Sequence, residues 1–182
     1  LIGGAMAFTF LKAQGKNVGS SLVDEENLQV AEDLLRLSEK SNTNLVLPID
    51  VVASSELSHD TSWRVASLED LKDDEAGYDI GPETTMNFEL LLSGNKTIFW
   101  NGPMGLFEIP AFSTGTQAIA AAVRNQTKEG AVSIIGGGDT VSALKNYGLT
   151  DGYTHISTGG GASLQLMSGK QLPALEALHE YV

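Results

Sequence analysis

The sequence has 182 residues, 42% of them hydrophobic and none of them cysteine, which fits a globular chain with a real core and leaves no disulfide framework or thiolate metal site. Against 23 Asp and Glu stand 11 Lys and Arg, a formal net charge of -12 with the cations scattered, so duplex nucleic acid is a poor partner. No apolar run approaches the roughly 18 residues of a membrane span, and an opening LIGGAMAF without Met or signal pattern reads as a cut from something longer.

Short apolar runs alternate with stretches of helical period, the pattern of an α/β chain with a mostly parallel sheet in a three-layer, Rossmann-like α/β/α arrangement. In chain order the sequence predicts a strand at 1–2 and a helix at 5–14 stopped by Gly15. A helix at 25–40 follows, with Leu28, Ala31 and Leu35 on one face and Asp24 as cap, then a strand at 45–49. The acidic stretch 54–79, which contains DLKDDEAGYD, reads as a surface excursion with one short strand around Val65 and nothing catalytic. Beyond it come a helix at 83–92 behind Pro82, a strand at 97–100, a helix at 114–128, a strand at 132–135, a helix at 140–147, a strand at 155–157 and a helix at 162–167. Pro and Gly punctuate these elements instead of forming a linker, so one domain over residues 1–182 is the economical expectation.

Strand, glycines and helix recur as LIGGAMAFTFL, SIIGGGDTVSAL and HISTGGGASLQL, and a further strand, TIFWNGPMGLFE, ends in the turn Asn101-Gly102-Pro103. Parallel strands would set all four turns along one carboxyl edge, where open α/β sheets place their ligands. At 20 glycines in 182 residues chance gives roughly 0.2 triplets, yet two occur, Gly136-Gly137-Gly138 and Gly159-Gly160-Gly161. Both sit at a predicted strand-to-helix junction, where free N–H groups and the helix dipole favour an anion.

There is no G-x-x-x-x-G-K-[ST], hence no Walker lysine, and no G-x-G-x-x-G after a strand, which weighs against a dinucleotide enzyme. What remains is a phosphate site of backbone amides with Asp139 and Thr140 at a helix mouth. A carboxylate beside phosphates makes sense with Mg2+ between them, and Thr140 would then donate to a phosphate oxygen. The alternative is that Asp139 is a helix N-cap, worth roughly 1 kcal/mol. Glu108 either accepts from ribose hydroxyls or is merely solvated, and Asn101 either forms a turn or touches a ligand. His59, His155 and His179 share no metal spacing, and no Ser-His-Asp constellation is visible. A site that binds and positions suits phosphoryl transfer, where catalysis is mainly alignment and charge neutralisation.

The segments LIGGAMAFTFLKAQG, LPIDVVAS, DIGPET, WNGPMGLFE, IIGGGDT and HISTGGGASLQLMSGKQLPALEAL, in this order, closely resemble the C-terminal, nucleotide-binding half of phosphoglycerate kinase over essentially all 182 residues. The resemblance implies one jaw of a two-domain, hinge-closing enzyme that moves a phosphoryl group between 1,3-bisphosphoglycerate and Mg-ADP, giving 3-phosphoglycerate and ATP. By motif, Gly3 and Gly4 lie against the adenine, Asn101, Gly102 and Pro103 border the ribose and phosphates, and Glu108 holds the ribose hydroxyls. Gly136, Gly137 and Gly138 let the backbone approach the phosphates, Asp139 takes the Mg2+ role and Thr140 bonds a phosphate. Gly159, Gly160 and Gly161 supply amides to the group in flight, and His155, Ser157 and Thr158 belong to the hinge region. The family's N-terminal, substrate-binding domain and the lysine-bearing segment ahead of LIGG are missing from this sequence, so the isolated chain is expected to be catalytically incomplete.

Two other readings stay open at this point: a module that holds an adenine nucleotide without turnover, and a Rossmann-type oxidoreductase. The expected partners are ATP or ADP and, through the missing domain, 3-phosphoglycerate or 1,3-bisphosphoglycerate, with no nucleic acid or membrane and a monomeric state. The cytoplasm is the expected location, with a plastid or other organelle left open, and the sequons at Asn95 and Asn125 are read as chance.

Overall fold

The computed structural model describes residues 1–58, 62–157 and 159–179, and the chain packs as two compact units. The first comprises Leu1–Ser93 and Pro103–Ala122, the second Gly94–Gly102 and Val123–Val182.

In the first unit, helices α1 (Gly4–Ala13) and α2 (Leu28–Lys40) precede three strands, β1 (Asp50–Ser54), β2 (Arg64–Ser67) and β3 (Ala76–Ile80), then helix α3 (Pro82–Leu92). The strands form an antiparallel sheet in the order β2-β1-β3. As the central strand, β1 is buried along its whole length. Its pleat sends Val51 and Ala53 into a core with Phe8, Leu11, Val18, Ala66, Leu68 and Leu71, while Val52 packs with Ile109 and Phe112.

This sheet corrects the reading of residues 45–79. The expected strand at 45–49 begins instead at Asp50. Pro48 lacks the N–H that a ladder needs, and Ile49 gives its N–H to Thr84 Oγ1 at 2.9 Å. The acidic stretch is no surface excursion: the short strand around Val65 is there as β2, but β3 joins it and both pair with β1. Glu75 and Asp79 are buried. The Arg64 guanidinium grips Glu75 through two hydrogen bonds, Nε to Oε1 at 2.9 Å and a terminal nitrogen to Oε2 at 2.6 Å. That grip pulls the Glu75 carboxyl down to about 2.

Residues 1–2 form no strand, although the Ile2 N–H donates to the Val46 carbonyl at 3.0 Å. The helix expected at 25–40 divides into a 3-10 turn at Glu25–Asn27 and α2, whose N-cap is Asn27; Asp24 accepts the Asn27 side-chain amide at 2.7 Å instead of capping α2. Helix α3 is capped from outside by Asp50, whose carboxylate accepts the N–H groups of Glu83 at 3.0 Å and Thr84 at 2.7 Å. Between α1 and α2 runs a groove of about 370 Å³ lined by Met6, Phe10, Leu22, Val30 and Leu34 among others, and by none of the candidate site residues.

In the second unit, strands β4 (Thr97–Asn101), β5 (Val132–Gly136) and β6 (His155–Ser157) form a parallel sheet in that order, flanked by helices. Helix α4 (Thr114–Lys128), whose residues up to Ala122 belong to the first unit, leads into β5, α5 (Gly138–Asn146) joins β5 to β6, and α6 (Gly160–Met167) and α7 (Pro173–His179) follow. The buried Ser133 of β5 is satisfied by Thr127 Oγ1 at 2.7 Å and by the Thr154 N–H at 3.1 Å, so the strand enters the core without an orphaned hydroxyl. The expected parallel α/β unit is present, with three of the four glycine turns on it. The turn at Gly3 and Gly4 belongs to the first unit.

Candidate functional site

The register of the parallel sheet places Asn101 beside Gly136 and Gly136 beside Ser157, so β4, β5 and β6 end on one edge. All three next turn toward glycines. Gly137 is the N-cap of α5 and has φ +93°, a conformation that side chains with a Cβ rarely adopt. The amides of Gly138, Asp139 and Thr140 therefore open a helix with no carbonyl four residues back to bond, and they are the free donors the sequence calls for.

The carboxylate of Asp139 decides between its two readings. It lies in the first turn of α5, past the cap position, is exposed, and has no hydrogen bond or ion pair among the described residues. It is therefore not the helix cap, and it is free to take a cation, with the amides of the same turn beside it. One carboxylate completed by phosphate oxygens and water is a usual Mg2+ environment. No group of three or more His, Cys, Asp or Glu that could cage a metal occurs among the described residues.

Thr140 is fully buried, and its Oγ1 accepts the Gly102 N–H at 2.7 Å. The Gly102 carbonyl in turn accepts the Trp100 indole N–H at 2.7 Å. Thr140 thus fixes the end of β4 to the start of α5, a role the sequence does not announce. Asn101 sits between the loops: a Cβ at Gly136 would stand 3.2 Å from its Nδ2, and one at Gly137 would stand 3.0 Å from its Oδ1. Gly160, at the start of α6, is buried, whereas Gly159 and Gly161 are exposed. The Gly159 N–H reaches Ser157 Oγ at 3.3 Å. His155 is exposed at the head of β6; Thr158 and His59 lie outside the described residues.

The first unit gathers the other candidates. The Gly4 N–H donates to the Met104 carbonyl at 3.0 Å, and a Cβ on Gly4 would stand 2.9 Å from the Pro103 carbonyl oxygen. Gly3 packs against Met104, where an added Cβ would meet Sδ at 2.5 Å. Residues 105–109 close tightly, Phe107 N–H to the Gly105 carbonyl at 2.9 Å and Ile109 N–H to the Leu106 carbonyl at 3.1 Å. Phe107 and Ile109 are buried, which leaves Glu108 exposed between them, its carboxylate without a partner among the described residues.

The chain as a whole has relatives among known proteins. A model of the phosphoglycerate kinase family matches residues 1–170. The chain is similar to phosphoglycerate kinase of Chloroherpeton thalassium, 47% identical over 178 residues, and to that of Thermosynechococcus vestitus, 48% identical over 180 residues; the matches cover 98% and 99% of this chain and 45% of each relative. Among solved structures it resembles phosphoglycerate kinase from Coxiella burnetii, with TM-score 0.89 and 44% identity over 96% of this chain and 44% of that one. It also resembles the Pyrococcus horikoshii enzyme, with TM-score 0.81 and 29% identity over 97% of this chain and 44% of that one. The chain thus spans less than half the length of the relatives it matches. On sequence and fold together, it belongs to the phosphoglycerate kinase family.

Proposed function

We propose that this chain is the C-terminal, nucleotide-binding half of a phosphoglycerate kinase. The observation that carries the reading is the start of α5, where first-turn amides and an Asp139 carboxylate that have no partner among the described residues stand together at the end of a parallel strand. In this reading Gly138, Asp139 and Thr140 offer amides to the nucleotide phosphates, and Asp139 holds Mg2+. The metal, when bound, neutralises phosphate charge. Asn101, Gly102 and Thr140 keep the strand ends in place through the contacts described above.

Gly3 and Gly4 take the adenine, Pro103 borders the ribose, and Glu108 accepts hydrogen bonds from its hydroxyls. Gly159, Gly160 and Gly161 present the start of α6 to the phosphoryl group in transfer. The reaction breaks the bond between the acyl oxygen and phosphorus of 1,3-bisphosphoglycerate and forms one between that phosphorus and a terminal oxygen of ADP, releasing 3-phosphoglycerate. The protein's part is alignment and charge stabilisation, with no covalent intermediate.

The substrate acid is gripped by a domain outside these 182 residues, and His155, Ser157 and Thr158 belong to the hinge toward it. The isolated chain is accordingly incomplete as a catalyst. In this reading the protein is a monomer, and a cytoplasmic setting fits the cysteine-free composition; no helix among the described residues is long and apolar enough to cross a membrane. Calorimetric titration of the chain with ADP, with and without Mg2+, and with NAD as control, tests the reading. Saturable heat with ADP and none with NAD is the expected result; preference for NAD would overturn it.

A further inference from the structure

Asp79 is the buried carboxylate that the site above leaves without a role. It is 3% exposed, too deep to meet a solute, and no cation pairs with it among the described residues. Among the described residues its oxygens accept two backbone N–H groups only, that of Ile80 at 2.9 Å and that of Gly115, in the first turn of α4, at 2.7 Å. Burial pushes its carboxyl up to about 7 against the pull of those two amides. A charge so costly to bury calls for a reason.

The reason lies in what the carboxylate presses on. A Cβ at Gly105 would stand 2.3 Å from Asp79 Oδ1, and one at Gly115 would stand 2.4 Å from the same atom. Both positions are glycine, and both backbones close onto the carboxylate. The turn that contains Gly105 is tied down again on either side. The Leu106 N–H donates to the Tyr78 carbonyl at 2.8 Å, and Thr116 Oγ1, one residue beyond Gly115, accepts the N–H groups of Met104 at 3.0 Å and Gly105 at 3.2 Å. This turn holds Gly4 through the Met104 carbonyl and sets Glu108 out toward solvent.

We propose that Asp79, with Thr116, is a positioning residue for nucleotide binding: it pins the turn at residues 103–108 to the start of α4, so affinity for the nucleotide depends on a side chain that never touches it. This rests on the nucleotide-binding reading given above. It deepens that reading by placing the control of the adenine and ribose contacts one layer beneath them. Asparagine at 79 keeps the shape but brings an NH2 group against one of the two N–H donors, which loosens the clamp without emptying the space.

The test is steady-state kinetics of the complete protein with Asp79→Asn. The KM for Mg-ADP is expected to rise about tenfold while the KM for 1,3-bisphosphoglycerate changes less than twofold. A merely structural role would lower the active fraction and leave both KM values alone, and that result, or an equal rise in both, overturns the proposal. Should Asp79→Asn fail to fold, Thr116→Val, equal in shape and lacking the acceptor, is expected to give the same selective rise, and an unchanged KM for Mg-ADP in that variant overturns it. Calorimetry of the unaltered protein with Mg-ADP separates the two levels. Absence of binding there refutes the nucleotide reading and this inference together; binding with unaltered kinetics in the variant refutes this inference alone.

Discussion

Gly160 and Gly137 touch backbone to backbone: a Cβ on Gly160 would stand 2.5 Å from the Gly137 Cα and 2.6 Å from its nitrogen. The loops after β5 and β6 are thereby keyed to each other. This contact and the positive φ of Gly137 demand glycine at these two positions of the triplets whether or not a ligand is bound. Gly160→Ala should therefore lower stability by about 1–3 kcal/mol, the cost of overpacking against rigid backbone. Urea denaturation of the complete protein reads it directly, and an unchanged midpoint would show that the two loops can separate at no cost.

Gly138 is the opposite case. Nothing lies within 4 Å of a Cβ built on it, its φ is not positive, and it is exposed at the first position of α5. Gly138→Val is expected to leave the unfolding free energy within about 0.5 kcal/mol of the parent and to abolish nucleotide binding measured by calorimetry, because the branched side chain fills the space assigned to phosphate. Retained binding would place the phosphates elsewhere.

Asp79 also makes stability depend on pH, with a sign opposite to that of most carboxylates. Its native value of about 7 lies above the ordinary 3.8, so the unfolded chain loses the proton first. The contribution of Asp79 is fully present below about pH 4, declines as pH rises toward 7 and is constant above that. Asparagine does not titrate. The stability of the parent relative to Asp79→Asn should accordingly fall between pH 4 and pH 7, as urea midpoints at a series of pH values would show, and a difference that grows over that interval would contradict the burial of an uncompensated carboxyl.

The parallel sheet was legible because β4 and β5 are largely apolar runs and all three strands lead into glycine or Asn-Gly turns, a pattern that local chemistry specifies. The antiparallel sheet was not. Its strand β3, AGYDI, contains a glycine and an aspartate, both poor strand formers, and it is held by pairing with β1 and by the backbone donors around Asp79. Residues 45–49 look more strand-like than 50–54, but Pro48 removes a ladder donor and the tertiary bond from Ile49 to Thr84 claims another. Among the site residues, composition pointed to the glycine turns and to Asp139. It could not tell a glycine with open space around it, such as Gly138, from one crowded by its own neighbours, such as Gly160, since that distinction exists only between segments brought together by the fold. The tie from Thr140 to Gly102 was hidden for the same reason: the two residues are 38 positions apart.

Asp139 carries the central claim, that this chain binds a magnesium-complexed nucleotide at the start of α5. Calorimetry of ADP binding to the complete protein, with Mg2+ and with chelator, for the parent and for Asp139→Ala, tests it most directly. The account predicts that Mg2+ tightens ADP binding in the parent and has little effect in the variant, and an equal gain from Mg2+ in both proteins would contradict it.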